Sequence, residues 1–505
     1  ELNQKNEKLN QKDIQLIQTN EELNKKNEEL NQIVASRSWQ ITKPLRALFE
    51  ILRNFFAILI LKKIVWYSSK FIFHLLPFSG RARERLKKLF FLKFHDIYNT
   101  IKAGEIGSVI EHDTTNIEIS LRENINRIIQ RIEYKENITI PEMPVKVLAF
   151  YLPQFHAIPE NDAWWGEGFT EWTNVKPAQP QFEGHYQPHV PGKLGYYNLL
   201  DTKVQERQVE LAKNYGIGGF CFHYYWFNGK RLLEKPIENY LLNPQLDLPF
   251  CISWANENWT RRWDGRENEI LIKQYHSPED DLAFIQHVSK YMFDNRYIRI
   301  NNKPLLMVYR PGLLPSAKET AKNWRDWCRA NGIGEIYLAY VQSFENPHPS
   351  EIGYDAAIEF PPNSFNSLMV THLIKPYNNN FRCNVFDWNT MVMNSEPYSV
   401  PDFKLFRGVC PSWDNTPRRK SDSHIFVNSH PDDFQKWVYN AAKDTITRFE
   451  NPDERLIFVN AWNEWAEGAH LEPDEKYGYA YLQNIYDVLR KLANTKKNIL
   501  SKNNV

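Results

Sequence analysis

The chain reads as an α/β protein, a (β/α)8 TIM barrel preceded by an N-terminal coiled coil and basic amphipathic helices. Three observations predict this. Eight apolar runs rich in β-branched and aromatic residues alternate with helix-length segments over residues 145–492, the pattern of parallel strands buried on both faces and joined by helical crossovers. Nearly every run ends in an aromatic residue beside a polar one, as happens where a barrel builds a site from the loops at the C-terminal ends of its strands. In front of the barrel, leucines at 2, 9, 16, 23 and 30 recur every seven residues. A doubly wound open sheet is the competing fold, but no Gly-rich phosphate loop follows the first run.

With Leu at the d positions of residues 1–36, the a positions are Asn6, Asp13, Asn20, Asn27 and Val34. So polar an a layer weakens a coiled coil while favouring a two-stranded, in-register pair, and a homodimer through this stalk is expected. The chain opens at Glu1, already inside the repeat, as a piece of a longer protein would. Residues 37–95 carry 13 Lys and Arg against two acids, Glu50 and Glu84. The longest uncharged apolar stretches there, 54–61 and 71–80, are too short to span a bilayer. Basic residues among Phe, Trp and Leu suit helices lying in an anionic membrane surface, so a cytoplasmic protein peripheral to the inner membrane face is expected. Residues 96–144 are polar and end in Pro141 and Pro144, as a helical linker would, and 493–505 form a polar tail.

The balance of 62 Lys and Arg against 61 Asp and Glu provides no global field for nucleic acid. The basic excess near the N-terminus lies in an apolar context rather than a phosphate-tracking groove. Five cysteines, Cys221, Cys251, Cys328, Cys383 and Cys410, are odd in number, widely spaced and set in apolar runs, which points to reduced core thiols. Histidines lack metal-ligand spacing, so neither a metal nor another cofactor is expected. Sixteen Trp, 25 Tyr and 30 Phe suit a groove that stacks on sugar rings, although a large core also consumes aromatics.

The eight runs are 147–152, 218–223, 249–254, 305–309, 336–341, 356–360, 405–410 and 457–462. At their ends stand Tyr151, Gln154 and His156, then His223, Tyr224 and Trp226, then Trp254, Asn256 and Glu257, then Tyr309 and Arg310, and finally Glu359, Trp413 and Asn463. The loop after the first run adds Trp165, Glu171 and Trp172. All are candidate substrate-binding residues, because aromatics cover the apolar faces of a sugar while amides, imidazoles and carboxylates satisfy its hydroxyls. Plainer readings compete: His156 and His223 as hydrogen-bonded structural residues, Trp254 as core, and Arg310 paired with Glu359.

The last run ends in two acids three residues apart, Glu464 and Glu467. If the chain turns helically after Trp462, both carboxylates share one face and reach one bound molecule. Two carboxylates about 5 to 10 Å apart are the usual means of cleaving a glycosidic bond, and Trp462 and Trp465 beside them suit a sugar's apolar face. An exposed Glu pair at a helix N-terminus is the bland alternative.

The stretches 147–156, 164–172, 220–226, 253–259 and 463–468 together resemble the WbsX-type family, which is similar in turn to family 99 glycoside hydrolases. The resemblance covers about residues 145–490. It implies a (β/α)8 barrel acting on glycans, in bacterial assembly of O-antigen and other surface polysaccharides. The stretch Ser38–Arg46 also resembles the N-terminal preludes of bacterial glycosyltransferases. By resemblance to the endo-mannosidase branch, Glu467 is the general acid/base, and Glu464 assists the sugar's own 2-hydroxyl as internal nucleophile with net retention. This chain carries Ala466 where those hydrolases commonly have a bulkier polar residue. The expected function is cleavage or transfer of α-linked sugars on an oligo- or polysaccharide. A glycosyltransferase using an activated donor and a non-catalytic glycan-binding scaffold are the alternatives.

Overall fold

The eight apolar runs become eight parallel strands. In the computed structural model they are β1 (Lys146–Tyr151), β2 (Ile217–Phe227), β3 (Phe250–Trp254), β4 (Lys303–Val308), β5 (Tyr337–Gln342), β6 (Ala356–Glu359), β7 (Leu405–Val409) and β8 (Leu456–Val459). Each pairs in parallel with the next. Strand β8 then returns to β1 in a register running from Lys146↔Leu456 to Ala149↔Val459, so the sheet closes on itself. The structure describes residues 130–502, apart from 141, 262–265, 364, 397, 420 and 421. The expected coiled coil (1–36), the basic segment (37–95) and the linker up to 129 lie outside the described residues.

Helices pack outside the barrel: α1 (Thr202–Asn214), α2 (Lys235–Leu242), α3 (Pro278–Met292), α4 (Ala317–Ala330), α5 (Trp388–Met393), α6 (Pro431–Arg448) and α7 (Ala480–Lys502). Their starts are written locally. Asp201, Ser277, Ser316 and Asp387 each accept a backbone N–H of the first turn, and α3 adds Pro278 and three acids where the helix dipole favours them. The strict (β/α)8 expectation needs one correction. Between β5 and β6 the described chain makes only a 3-10 turn, Pro349–Ile352, closed by Gly353 at φ 76. That connection is short and carries Pro347 and Pro349, which leave no room for a helix.

The strands are buried along nearly their whole length. Inside the barrel Phe150 packs on Phe360 and Phe458, and outside it Trp254 stacks on Phe284 of α3 at 4.3 Å. Residues 130–140, expected as the end of a helical linker, are instead non-helical and fastened to the barrel. Ile132 forms a β-bridge with Gly478, Tyr134 packs edge-on against Tyr479, and the Asn137 amide donates to Asn214 of α1. These contacts join segments far apart in sequence, which local pattern does not reveal. All five cysteines are free and buried. Among the described residues no helix is long and apolar enough to cross a membrane.

Candidate active site

Strand β8 runs out of the barrel into a tight hairpin. Asn463–Glu464 pairs antiparallel with Ala469–His470, and the tip is a 3-10 turn, Trp465–Glu467, closed by Gly468 at φ 62. The helical turn expected here is thus a 3-10 turn, whose three residues per turn place positions i and i+3 on one side. Ala466 at its centre is fully buried. Asn463 fixes the hairpin by accepting from the Leu152 amide at 2.7 Å and donating to the Leu152 carbonyl at 3.0 Å. From behind, the buried Glu472 carboxylate accepts from Trp462, Trp465, Tyr197 and Gln208 at 2.7–3.0 Å. The two tryptophans are therefore supports of the acid turn rather than the expected sugar platforms.

One guanidinium joins the acids. Arg418, in the loop after β7, donates from Nη2 to Glu464, from Nη1 to Glu467 and from Nε to Glu171, each at 2.6 Å. Glu171 is fully buried, whereas the Glu467 side chain keeps 20% exposure and lies at the edge of the cavity. Burial pushes the Glu467 carboxyl up to about 8, opposed by Arg418 and reinforced by the Glu464 and Glu171 carboxylates. Burial also raises Glu171. His223 Nε2 lies 4.0 Å from Glu464 Oε1. Burial first, and Arg418 second, lower His223 to about 4, so it is a neutral imidazole at pH 7.

These groups open onto a cavity of 990 Å3. It brings together nine of the residues expected from sequence: Gln154, Trp165, His223, Glu257, Tyr309, Arg310, Trp413, Glu464 and Glu467. Arg310 pairs with Glu257 at 2.7 Å, not with Glu359. Two more act on the site from behind. Glu171 anchors Arg418, and Asn256 holds the Arg310 backbone, accepting from its N–H and donating to its carbonyl.

Other expected residues are elsewhere. Tyr151 donates to Gln208 in the core, and Trp172 donates to the Tyr197 carbonyl while packing on Trp465. His156 is buried against the Pro153 carbonyl. On β2 the pleat sends Tyr224 and Trp226 outward to α3, where Tyr224 packs on Phe284 and Trp226 donates to Asp280, while His223 and Tyr225 face the cavity. Trp254 is core, and Glu359 is held by Arg407 at 2.7 Å and by the Gly408 amide. Sequence reasoning missed Arg418, Tyr225 and Asn258, all on the cavity, where Trp259 and Asn415 also stand, each just beyond a strand end that the sequence marks, the third and the seventh. Tyr225 was signalled by sharing the parity of His223. Arg418 was signalled only by a basic cluster soon after a strand end.

Among the described residues one group, His189, His470 and Asp474, has donor atoms converging within 4.8 Å, although no metal ligands are expected from spacing.

The chain matches the glycosyltransferase WbsX family over residues 147–485. It belongs to that family. The matched span of this WbsX-family chain starts in β1 and ends in α7, so it contains the acid pair, Arg418 and the cavity. Two proteins named uncharacterized protein WxcX are similar to it, both from Xanthomonas campestris pv. campestris. The one from strain B100 is 44% identical over 429 residues, and the one from strain ATCC 33913 is 45% identical over 430. In each case the match takes in 85% of this chain but only 61% of the relative. Among solved structures, a glycoside hydrolase-like protein aligns with 73% of this chain and 99% of its own at TM-score 0.46 and 16% identity. A GH99 endo-alpha-mannosidase from Bacteroides thetaiotaomicron aligns with 70% of this chain and 98% of its own at TM-score 0.43 and 14% identity.

Proposed function

We propose that this WbsX-family chain is a carbohydrate-active enzyme of bacterial surface-polysaccharide assembly, cleaving or transferring an α-linked sugar with Glu464 and Glu467. The observation that carries this reading is the placement of both acids on one turn, bridged by Arg418, at an aromatic-lined cavity beyond the strand ends. Glu467, held protonated by burial, donates its proton to the departing glycosidic oxygen and later recovers one. Glu464 steers the nucleophile, for which the sugar's own 2-hydroxyl is the best candidate. Arg418 is a positioning residue: it spaces the acids and keeps the mouth from accumulating three uncompensated charges. Trp165, Tyr309 and Trp413 offer faces for sugar rings, and Gln154, Asn258 and Asn415 offer partners for hydroxyls.

The test is to incubate the protein with polysaccharide from its host and follow new reducing ends or altered chain length. Glu464→Gln and Glu467→Gln should each lower turnover by at least about 10²-fold. Near-wild-type rates in either variant remove the mechanism, and binding without turnover in the unaltered protein supports a scaffold instead. The family's description favours transfer as a second reading. Products made with and without an acceptor glycan separate transfer from hydrolysis. The same proposal includes a stalk that pairs chains through residues 1–36 and a basic segment, 37–95, that lies on the anionic inner membrane face.

A further inference from the structure

Behind the acid-bearing hairpin lies a second cavity, of 400 Å3, lined by His189, His470 and Asp474. Trp413 and Phe426 line both this cavity and the one that holds the acids. The three residues come from separate places: His189 from the long loop after β1, His470 from the second strand of the hairpin, and Asp474 from the segment leading to α7. All are buried.

The hydrogen bonds prepare them as ligands. His470 Nδ1 lies 2.9 Å from the Glu472 carbonyl oxygen, which can only accept, so Nδ1 carries the proton and Nε2 presents a lone pair. That lone pair meets His189 Nδ1 at 2.8 Å. Asp474 Oδ2 accepts from the Tyr186 hydroxyl at 3.0 Å, and Oδ1 accepts from the Tyr477 amide, which orients the carboxylate. One donor atom from each residue falls within 4.8 Å of the other two. Zinc holds imidazole nitrogen at about 2.0–2.1 Å, which in a tetrahedral site separates two such nitrogens by about 3.4 Å. Replacing the proton shared by the two imidazoles with a metal therefore asks them to part by roughly half an ångström. Lys476, on the same cavity, stands over the Tyr186 and Tyr477 rings at 4.2 and 4.7 Å, where the ring faces hold its ammonium.

We infer that His189, His470 and Asp474 form a site for one divalent transition metal of the zinc class, tying the β1 loop to the back of the hairpin that presents Glu464 and Glu467. Two imidazoles and one carboxylate, with the remaining positions open to the cavity, select such a metal over magnesium or calcium, which prefer all-oxygen ligands.

The full chain, stripped with a chelator, should take up about one equivalent of Zn2+ and melt at a higher temperature when loaded. Excess Co2+ should produce the visible bands of low-coordinate nitrogen/oxygen cobalt. His189→Gln and Asp474→Asn should lose the equivalent while melting like the stripped wild type. Wild-type zinc stoichiometry in both variants would overturn the assignment, as would the absence of cobalt bands in the unaltered protein. If neither variant folds, the cobalt spectrum of the unaltered protein decides alone.

Discussion

At the scale of single residues, three carboxylates share one guanidinium, and burial pushes the Glu467 carboxyl up to about 8 against the pull of Arg418. All three lie within 2.6 Å of Arg418, in surroundings that exclude most water. A general acid must hold its proton to act, so kcat/KM should fall about tenfold per pH unit above about 8, where Glu467 ionises. A pH–rate profile flat to pH 10 would remove Glu467 from that role. Arg418→Met leaves the carboxylates without their counter-charge and should cost about 3–5 kcal/mol of stability at neutral pH. Thermal melts should show a smaller loss at pH 5, because the orphaned carboxylates then take up protons. None of this was readable from Arg418 in the sequence, where it is one member of a basic cluster. The pairing of Glu464 and Glu467 beyond the last strand was readable, because their spacing is local and their position after an apolar strand is a pattern.

At the scale of elements, parity and close approach decide which side chains matter. The run His223–Trp226 reads as a block of aromatics from which His223, Tyr224 and Trp226 are expected at the site, yet the pleat divides it, with His223 and Tyr225 in the cavity and Tyr224 and Trp226 against α3. A buried strand is apolar on both faces, so its sequence does not say which parity looks inward. Strand β7 shows how tightly the wall is built. A Cβ at Gly408 would stand 2.2 Å from the Glu359 carbonyl oxygen and 2.7 Å from Pro361 Cδ. Gly408→Ala should therefore push β6 and β7 apart and destabilise the barrel by about 1–3 kcal/mol. Unfolding by denaturant would measure this, and an unchanged midpoint would contradict the packing described. The acid turn makes the same point in reverse: the spacing predicts a helical turn and the structure has a 3-10 turn, but either brings i and i+3 to one side, so Glu464 and Glu467 still share one face.

At the scale of the molecule, the proposed labour of a surface-glycan enzyme is divided between the barrel and a proposed stalk and membrane-binding segment. The chain of 505 residues should float with liposomes containing anionic lipid, lose that binding at high salt, and sediment as a dimer. Removing residues 1–95 should abolish both behaviours and leave turnover on soluble glycan within a few-fold. Persistence of either behaviour in the truncated chain would assign it to the barrel.

By itself the sequence determined the barrel and its eight strands in order, because hydrophobic runs, their lengths and their capping residues are local quantities that chain order preserves. It also singled out the acid pair. Only the tertiary structure decided that Arg418 and Glu171 stand behind those acids, that Glu359 belongs to Arg407, and that His189 meets His470 across 281 positions. Electrostatic pairing acts through space with no periodic trace along the chain, so it becomes visible only when folding brings the partners together.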